Sequence, residues 1–153
     1  MKNFIKNFLL SLFCIYSLYF LLGSIAAPIM ACLTKYDLSA KLTSLFIYSC
    51  HQQPDRSFWL LGYPIALCCR CLGFYLGVAI STIVALIGKF NLKLRYFVIF
   101  LLFTTTDIFA NFIWHKDTRN ITRFITGIIM GLLFTMVLNY ICNINRRKMK
   151  NEN

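Results

Sequence analysis

The sequence predicts an all-α integral membrane protein that crosses the bilayer four times, with an interfacial amphipathic segment between the first and second crossings. Three observations carry this. Hydrophobic residues make up 59% of the chain and charged ones only 14%, against roughly 45–50% and about 25% in soluble domains. Four apolar runs approach the ~20 residues that a helix needs to span a ~30 Å hydrocarbon core. The basic residues fall in short clusters between those runs, with no long stripe and no interleaved aromatics. With a mean hydropathy of +0.67, such a chain has too little polar surface to cover itself in water. At 153 residues it makes a single membrane domain, 1–153.

The first run, residues 8–32, is uncharged throughout. Lys2 and Lys6 ahead of it and Gly23, Ser24, Ala26 and Ala27 near its end give it some character of a secretory signal, and Ile29-Met30-Ala31-Cys32 loosely fits a lipoprotein cleavage box. Its apolar stretch is longer than the roughly 7–15 residues of a signal core, so a retained transmembrane helix is expected. The second run is 71–88, the third, 96–114, carries only Asp107, and the fourth, 124–144, is uncharged. Backbone groups have no water partners in lipid, so each run should be helical. Residues 145–153 form a basic tail.

The net charge of +11 would suggest nucleic acid in a soluble protein. Its distribution here argues for topology and anionic headgroups instead, with the lipid bilayer as partner and no nucleic acid. With the N-terminus inside, the cytoplasmic segments hold Lys2, Lys6, Lys89, Lys93, Arg95, Arg146, Arg147, Lys148 and Lys150 against Glu152. The outer side holds Lys35, Lys41, Arg56, Arg70, Lys116, Arg119 and Arg123, offset by Asp37, Asp55 and Asp117. The loop 89–95 and the tail weigh most because they abut helix ends. The expectation is a multi-pass protein of a cell membrane, such as a bacterial inner membrane, with both termini cytoplasmic.

Residues 33–70 are too polar to span and too apolar to float free. Leu38, Leu42, Leu45, Phe46 and Ser49 recur at helical spacing, which predicts an amphipathic helix lying at the interface. Trp59 and Tyr63 suit the headgroup level, and Gly62 and Pro64 predict a turn or re-entrant dip.

The densest chemical inventory lies in the same segment. Cys50 and His51, followed by Cys68 and Cys71 in a C-x-x-C, supply the sulfur and imidazole ligands of a tetrahedral zinc site, with Asp107 or His115 available to complete the shell. A bound metal could be structural, tying the interfacial segment to the second helix. On the outer side of a membrane the same C-x-x-C can also form or exchange a disulfide, so a thiol–disulfide oxidoreductase, with quinone as a candidate electron acceptor, is the enzymatic alternative. The bland reading is that cysteine fills apolar space in membrane helices. Cys14, Cys32 and Cys142 are read that way, and Cys69 as incidental.

Asp107 inside the third run costs roughly 2.5–3.5 kcal/mol on insertion scales and normally has a partner. Asn111 and His115 follow at one-turn steps on its face, and Arg70 and Arg123 open the second and fourth helices at the same membrane side. An Asp107–arginine pair is the structural account; a proton relay or small-solute or ion transport is the sharper one. Transport would require that Asp107→Asn abolish a flux while folding survives. Gly73 and Gly77, and again Gly127 and Gly131, form two G-x-x-x-G patterns. Either the second and fourth helices pack on each other or one such face mediates a homodimer.

Taken together, Cys50-His51-Gln52, Pro54-Asp55-Arg56-Ser57-Phe58, Gly62, Cys68-x-Arg70-Cys71-x-Gly73-x-Tyr75-x-Gly77, Asp107 and Asn120-x-x-Arg123-x-x-Thr126-Gly127-x-x-x-Gly131 resemble a bacterial and archaeal membrane-protein family, domain of unknown function 2085. The resemblance covers roughly residues 45–131. It implies a multi-pass membrane protein and brings no activity with it. It groups Arg56, Arg70, Asp107, Asn120 and Arg123 with the Cys/His residues as a polar shell. Cys69 fills the variable place of the C-x-x-C, and Asn111 stands where a longer amide would be expected.

Overall fold

Residues 2–87 and 119–151 are described by a computed structural model, together with Val98, Leu101, Leu102, Thr105, Thr106 and Phe109. Helix α1, Lys2–Cys32, is about 46 Å long at 1.5 Å per residue, more than a hydrocarbon core requires. It ends in a Schellman turn. Thr34 adopts φ 60°, its N–H reaches the Ala31 carbonyl at 3.1 Å, and the Lys35 N–H reaches that of Met30 at 3.0 Å. Pro28 sits inside α1 and has no N–H to give to the Ser24 carbonyl. That carbonyl instead accepts the Ala66 N–H at 3.3 Å. The break in the helix ladder thus becomes a point of attachment for the segment ahead of the second spanning helix.

Helix α2, Tyr36–Ser44, folds back on α1, where the Ser39 hydroxyl donates to the Ala27 carbonyl at 2.8 Å. It is shorter than the predicted interfacial helix. The chain leaves it through turns from Leu45 to Ser49, which carry Phe46 into full burial while Leu38 and Leu45 remain exposed. A 3-10 turn, Pro54–Arg56, precedes a two-strand hairpin of β1, Trp59–Leu60, and β2, Tyr63–Pro64. Its two turn residues, Leu61 and Gly62, have φ of 55° and 82°, the left-handed pair that tight hairpin turns require. Gly62 and Pro64 therefore mark a hairpin turn.

Helices α3, Cys69–Ile87, and α4, Asn120–Asn151, follow. The second runs past the apolar run and takes most of the basic tail into the helix. Three helices, over Lys6–Cys32, Cys69–Ile87 and Asn120–Cys142, are long and apolar enough to cross a membrane among the described residues. The described positions of the third run are helical.

The glycines set how α3 and α4 meet. A methyl group on Gly73 would strike the Phe124 carbonyl oxygen, and one on Gly77 that of Ile128. In return, one on Gly127 would strike the Arg70 carbonyl and one on Gly131 that of Phe74. Backbone therefore rests on backbone along both motifs. Further along, the Ser81 and Thr135 hydroxyls hydrogen-bond at 2.7 Å, both fully shielded. Partners rise together in number on the two helices, so α3 and α4 run parallel. Helix α1 runs against them: Ser24 meets Ala66, Phe20 stacks on Tyr75 at 4.4 Å, and Phe13 reaches Phe134. Ser81→Ala should lower stability by about 0.6–1.7 kcal/mol, the range for interhelical hydrogen bonds in membranes. Reversible unfolding in mixed detergent and dodecyl sulfate reads this.

The apolar core gathers where α1, the turns after α2 and the head of α3 meet. Phe20, Ala27, Phe46, Leu67 and Leu72 are buried there with Cys50. Cys50, Cys68 and Cys71 thus sit against packed hydrocarbon at one end of the bundle.

Candidate metal centre

Three cysteines converge. Cys68 directly precedes α3, and its carbonyl accepts the Leu72 N–H at 2.9 Å, the position of a helix cap. One turn in, Cys71 returns to the same side, and the Cys68 and Cys71 Sγ atoms lie 3.3 Å apart. Cys50 arrives from the opposite direction. Its N–H is fixed to the Phe46 carbonyl at 2.9 Å, and the burial of Phe46 pins the turn that delivers it. The three Sγ atoms all lie within 4.8 Å of one another.

Backbone donors surround the sulfur of Cys50. The Cys68 N–H points to it at 3.2 Å and the Gln52 N–H at 3.4 Å. Gln52 reaches that position through a left-handed φ of 49°, and its side-chain amide anchors the bend by donating to the Thr43 carbonyl at 2.5 Å. Electrostatics divide Cys68 from Cys50. Hydrogen bonds from the Cys50 and Cys71 thiols, then from backbone N–H groups of Cys71 and Arg70, hold Cys68 far below the ordinary thiol range despite burial. Cys50 is raised, first by its hydrogen bond with Cys68 and further by burial. Sulfurs this close cannot all ionise on their own, because like charges oppose each other in a shielded site. A bound cation would remove that conflict.

His51 does not join the three sulfurs. Its backbone follows Cys50 directly and its side chain is exposed. Cys69 is fully buried and also stands outside the group. Asp107, Asn111 and His115 lie outside the described residues.

Arg56, Asn120 and Arg123 meet at a neighbouring place. Between the 3-10 turn and the head of α4 lies a cavity of about 630 Å³, whose walls include Asp55, Arg56, Arg119, Asn120 and Arg123. The Asn120 amide ties the two walls together, donating to the Ser57 carbonyl at 3.3 Å and the Asp55 carbonyl at 3.5 Å. Its oxygen accepts from Arg123 Nη1 at 3.5 Å, and Arg123 is buried. Arg70 is partly buried on α3, with its carbonyl against Gly127.

Residues 50–137 match the family DUF2085, described as a predicted membrane protein. This chain belongs to that family. An uncharacterised protein of Methanocaldococcus jannaschii is 34% identical over 130 residues, 78% of this chain and 82% of the relative. One from Methanothermobacter thermautotrophicus is 29% identical over 102 residues, 63% of this chain and 92% of the relative. No solved structure matches. The DUF2085 match opens at Cys50 itself and takes in Cys68, Cys71, the cavity residues and both glycine motifs. Helices α1 and α2 precede it.

Two contributors to this DUF2085 site escape a search for reactive side chains. Gln52 acts through its backbone N–H and its amide anchor, roles that its place after Cys50 and His51 in the sequence pattern does not reveal. Arg119 stands immediately before the Asn120 that begins α4, and its signal is a cation where a helix cap would ordinarily be an oxygen acceptor.

Proposed function

We propose that this DUF2085 protein is a four-span membrane protein that holds zinc, or a similarly soft ion, on the thiolates of Cys50, Cys68 and Cys71 at its outer face. The observation that carries the reading is the convergence of the three sulfurs within 4.8 Å. A tetrahedral zinc with Zn–S of about 2.3 Å keeps its sulfurs about 3.8 Å apart, so small movements close the site on an ion. The fourth position falls to solvent or, after a side-chain rotation, to His51. The ion's role is structural: it joins the segment after α2 to the head of α3.

The parallel course of α3 and α4 supports the fourth crossing. Two parallel spans must be joined by a chain that returns through the bilayer, and the apolar run 96–114 has the length for it. The cations at 89–95 and in the tail then lie together on the cytoplasmic side, with the cysteine site opposite.

A thiol–disulfide oxidoreductase is the second reading, favoured by the 3.3 Å separation of Cys68 and Cys71 Sγ at a helix N-terminus. Metal analysis with thiol titration separates the two. The metal site predicts one equivalent of zinc in protein purified without chelator, with the three thiols protected until the ion is stripped. Metal-free protein carrying a Cys68–Cys71 disulfide would replace this reading with the redox one.

A further inference from the structure

The cavity between the 3-10 turn and the head of α4 makes no use of the thiols, and its walls have a chemistry of their own. Arg56 and Arg119 are exposed at its edge and Arg123 is buried behind them, against one carboxylate, Asp55. Neither Arg56 nor Arg119 forms an ion pair among the described residues. The volume of about 630 Å³ falls within the roughly 300–1,000 Å³ of small-molecule sites. Such sites are usually lined by apolar side chains, yet Pro54 is the sole apolar residue of this lining. A quinone or an acyl chain would find little to pack against.

The local fold favours an anion. Helix α4 begins at Asn120 with no acidic residue in its first turn, and a helix start carries partial positive charge with N–H groups lacking intrahelical partners. Arginine has no acceptor atom and cannot cap them. Two guanidinium forks and the Gln53 amide offer more donors than the two oxygens of a carboxylate can accept. A tetrahedral phosphate has the oxygens to use them. The walls are also held at a fixed spacing by Asn120, through its bonds to the Asp55 and Ser57 carbonyls.

We propose that this cavity binds a terminal phosphate group, from a phosphomonoester lipid headgroup or from a free phosphate or phosphate monoester. Arg56 and Arg119 grip it and Arg123 supplies charge from behind. Trp59, exposed on the adjoining hairpin, belongs at the headgroup level, within reach of either source.

The test uses the full chain in maltoside micelles, which contain no phosphate, at low ionic strength. Titration calorimetry with sodium phosphate and, separately, with dihexanoyl-phosphatidic acid should give saturable binding of at least one probe. Arg56→Gln and Arg119→Gln should each weaken it roughly ten- to a hundredfold, the ordinary worth of a charge-assisted hydrogen bond. Binding of inorganic phosphate points to a free phosphate or ester, and binding of the lipid alone to a headgroup. In the unsubstituted protein the bound probe should also shield Arg56 and Arg119 from phenylglyoxal, read by peptide mass. Saturable binding of neither probe, affinity unchanged in both variants, or absence of shielding overturns the assignment.

Discussion

Gly127→Val is expected to prevent α3 and α4 from assembling, at a cost of at least about 3 kcal/mol, the upper part of the overpacking range. A Cβ at this position would overlap the Arg70 carbonyl oxygen and lie 3.0 Å from the Phe74 nitrogen. Both are backbone atoms of a helix, so no rotamer change relieves the contact. The helices would have to separate, and separation also pulls Gly73, Gly77 and Gly131 from their carbonyl partners. Between membrane helices little hydrophobic force compensates, because lipid tails are as apolar as the side chains they replace. Gly62→Ala makes a useful contrast. Nothing lies within 4 Å of its added carbon, so only the left-handed φ of 82° opposes it, at about 1–2 kcal/mol. Unfolding midpoints in mixed detergent and dodecyl sulfate, with the monodisperse fraction after extraction, measure both. Wild-type stability in Gly127→Val would mean that these helices do not meet along their glycines.

The same glycines show what a linear reading could reach. Their spacing announces close helix packing, but whether the partner is the other motif or a second copy depends on where the chain returns. In the folded chain the two motifs occupy each other. Cys50, Cys68 and Cys71 were legible as a thiol inventory suited to a soft metal or to disulfide exchange, with one cysteine before the connecting segment and a C-x-x-C after it. The orientation of His51 was not. Adjacent residues point apart unless a special turn intervenes, and the turn here, with Gln52 left-handed, keeps Cys50 buried while the His51 side chain stays in solvent. The amphipathic pattern through Ser49 overstated the helix. Phe46 fits its spacing, yet reaches the core through a turn because packing against Phe20 at 5.1 Å outweighs continued helix. The bond from Ala66 to Ser24 was invisible for another reason: Pro28 signals a freed carbonyl but not which distant N–H will take it. Arg119 reads as one more outer cation until the cavity beside it is seen.

Cys50→Ser carries the second large effect, a loss of bound zinc by about a hundred- to a thousandfold in affinity. A structural zinc site contributes roughly 10–16 kcal/mol of apparent binding energy, and serine, which does not ionise near neutral pH, forfeits one ligand's share. Cys68→Ser and Cys71→Ser should match it, because each removes one of the three sulfurs held within 4.8 Å. Cys32→Ser, on an exposed residue, should leave the metal in place. His51→Ala discriminates further: an affinity loss like that of Cys50→Ser makes the imidazole the fourth ligand, and retained affinity leaves that position to solvent. Acidification should act in the same direction as the cysteine variants, since protons compete with the ion for the thiolates and affinity falls as pH falls. The mechanical consequence follows from where Cys50 sits. Without the ion, its segment loses a link to α3 and keeps weaker ones such as the Cys68 N–H bond and hydrocarbon packing, so limited proteolysis near residues 51–57 should accelerate in the same variants that lose metal. Metal retained at full stoichiometry in Cys50→Ser would remove this cysteine from the site and leave the C-x-x-C to a separate role.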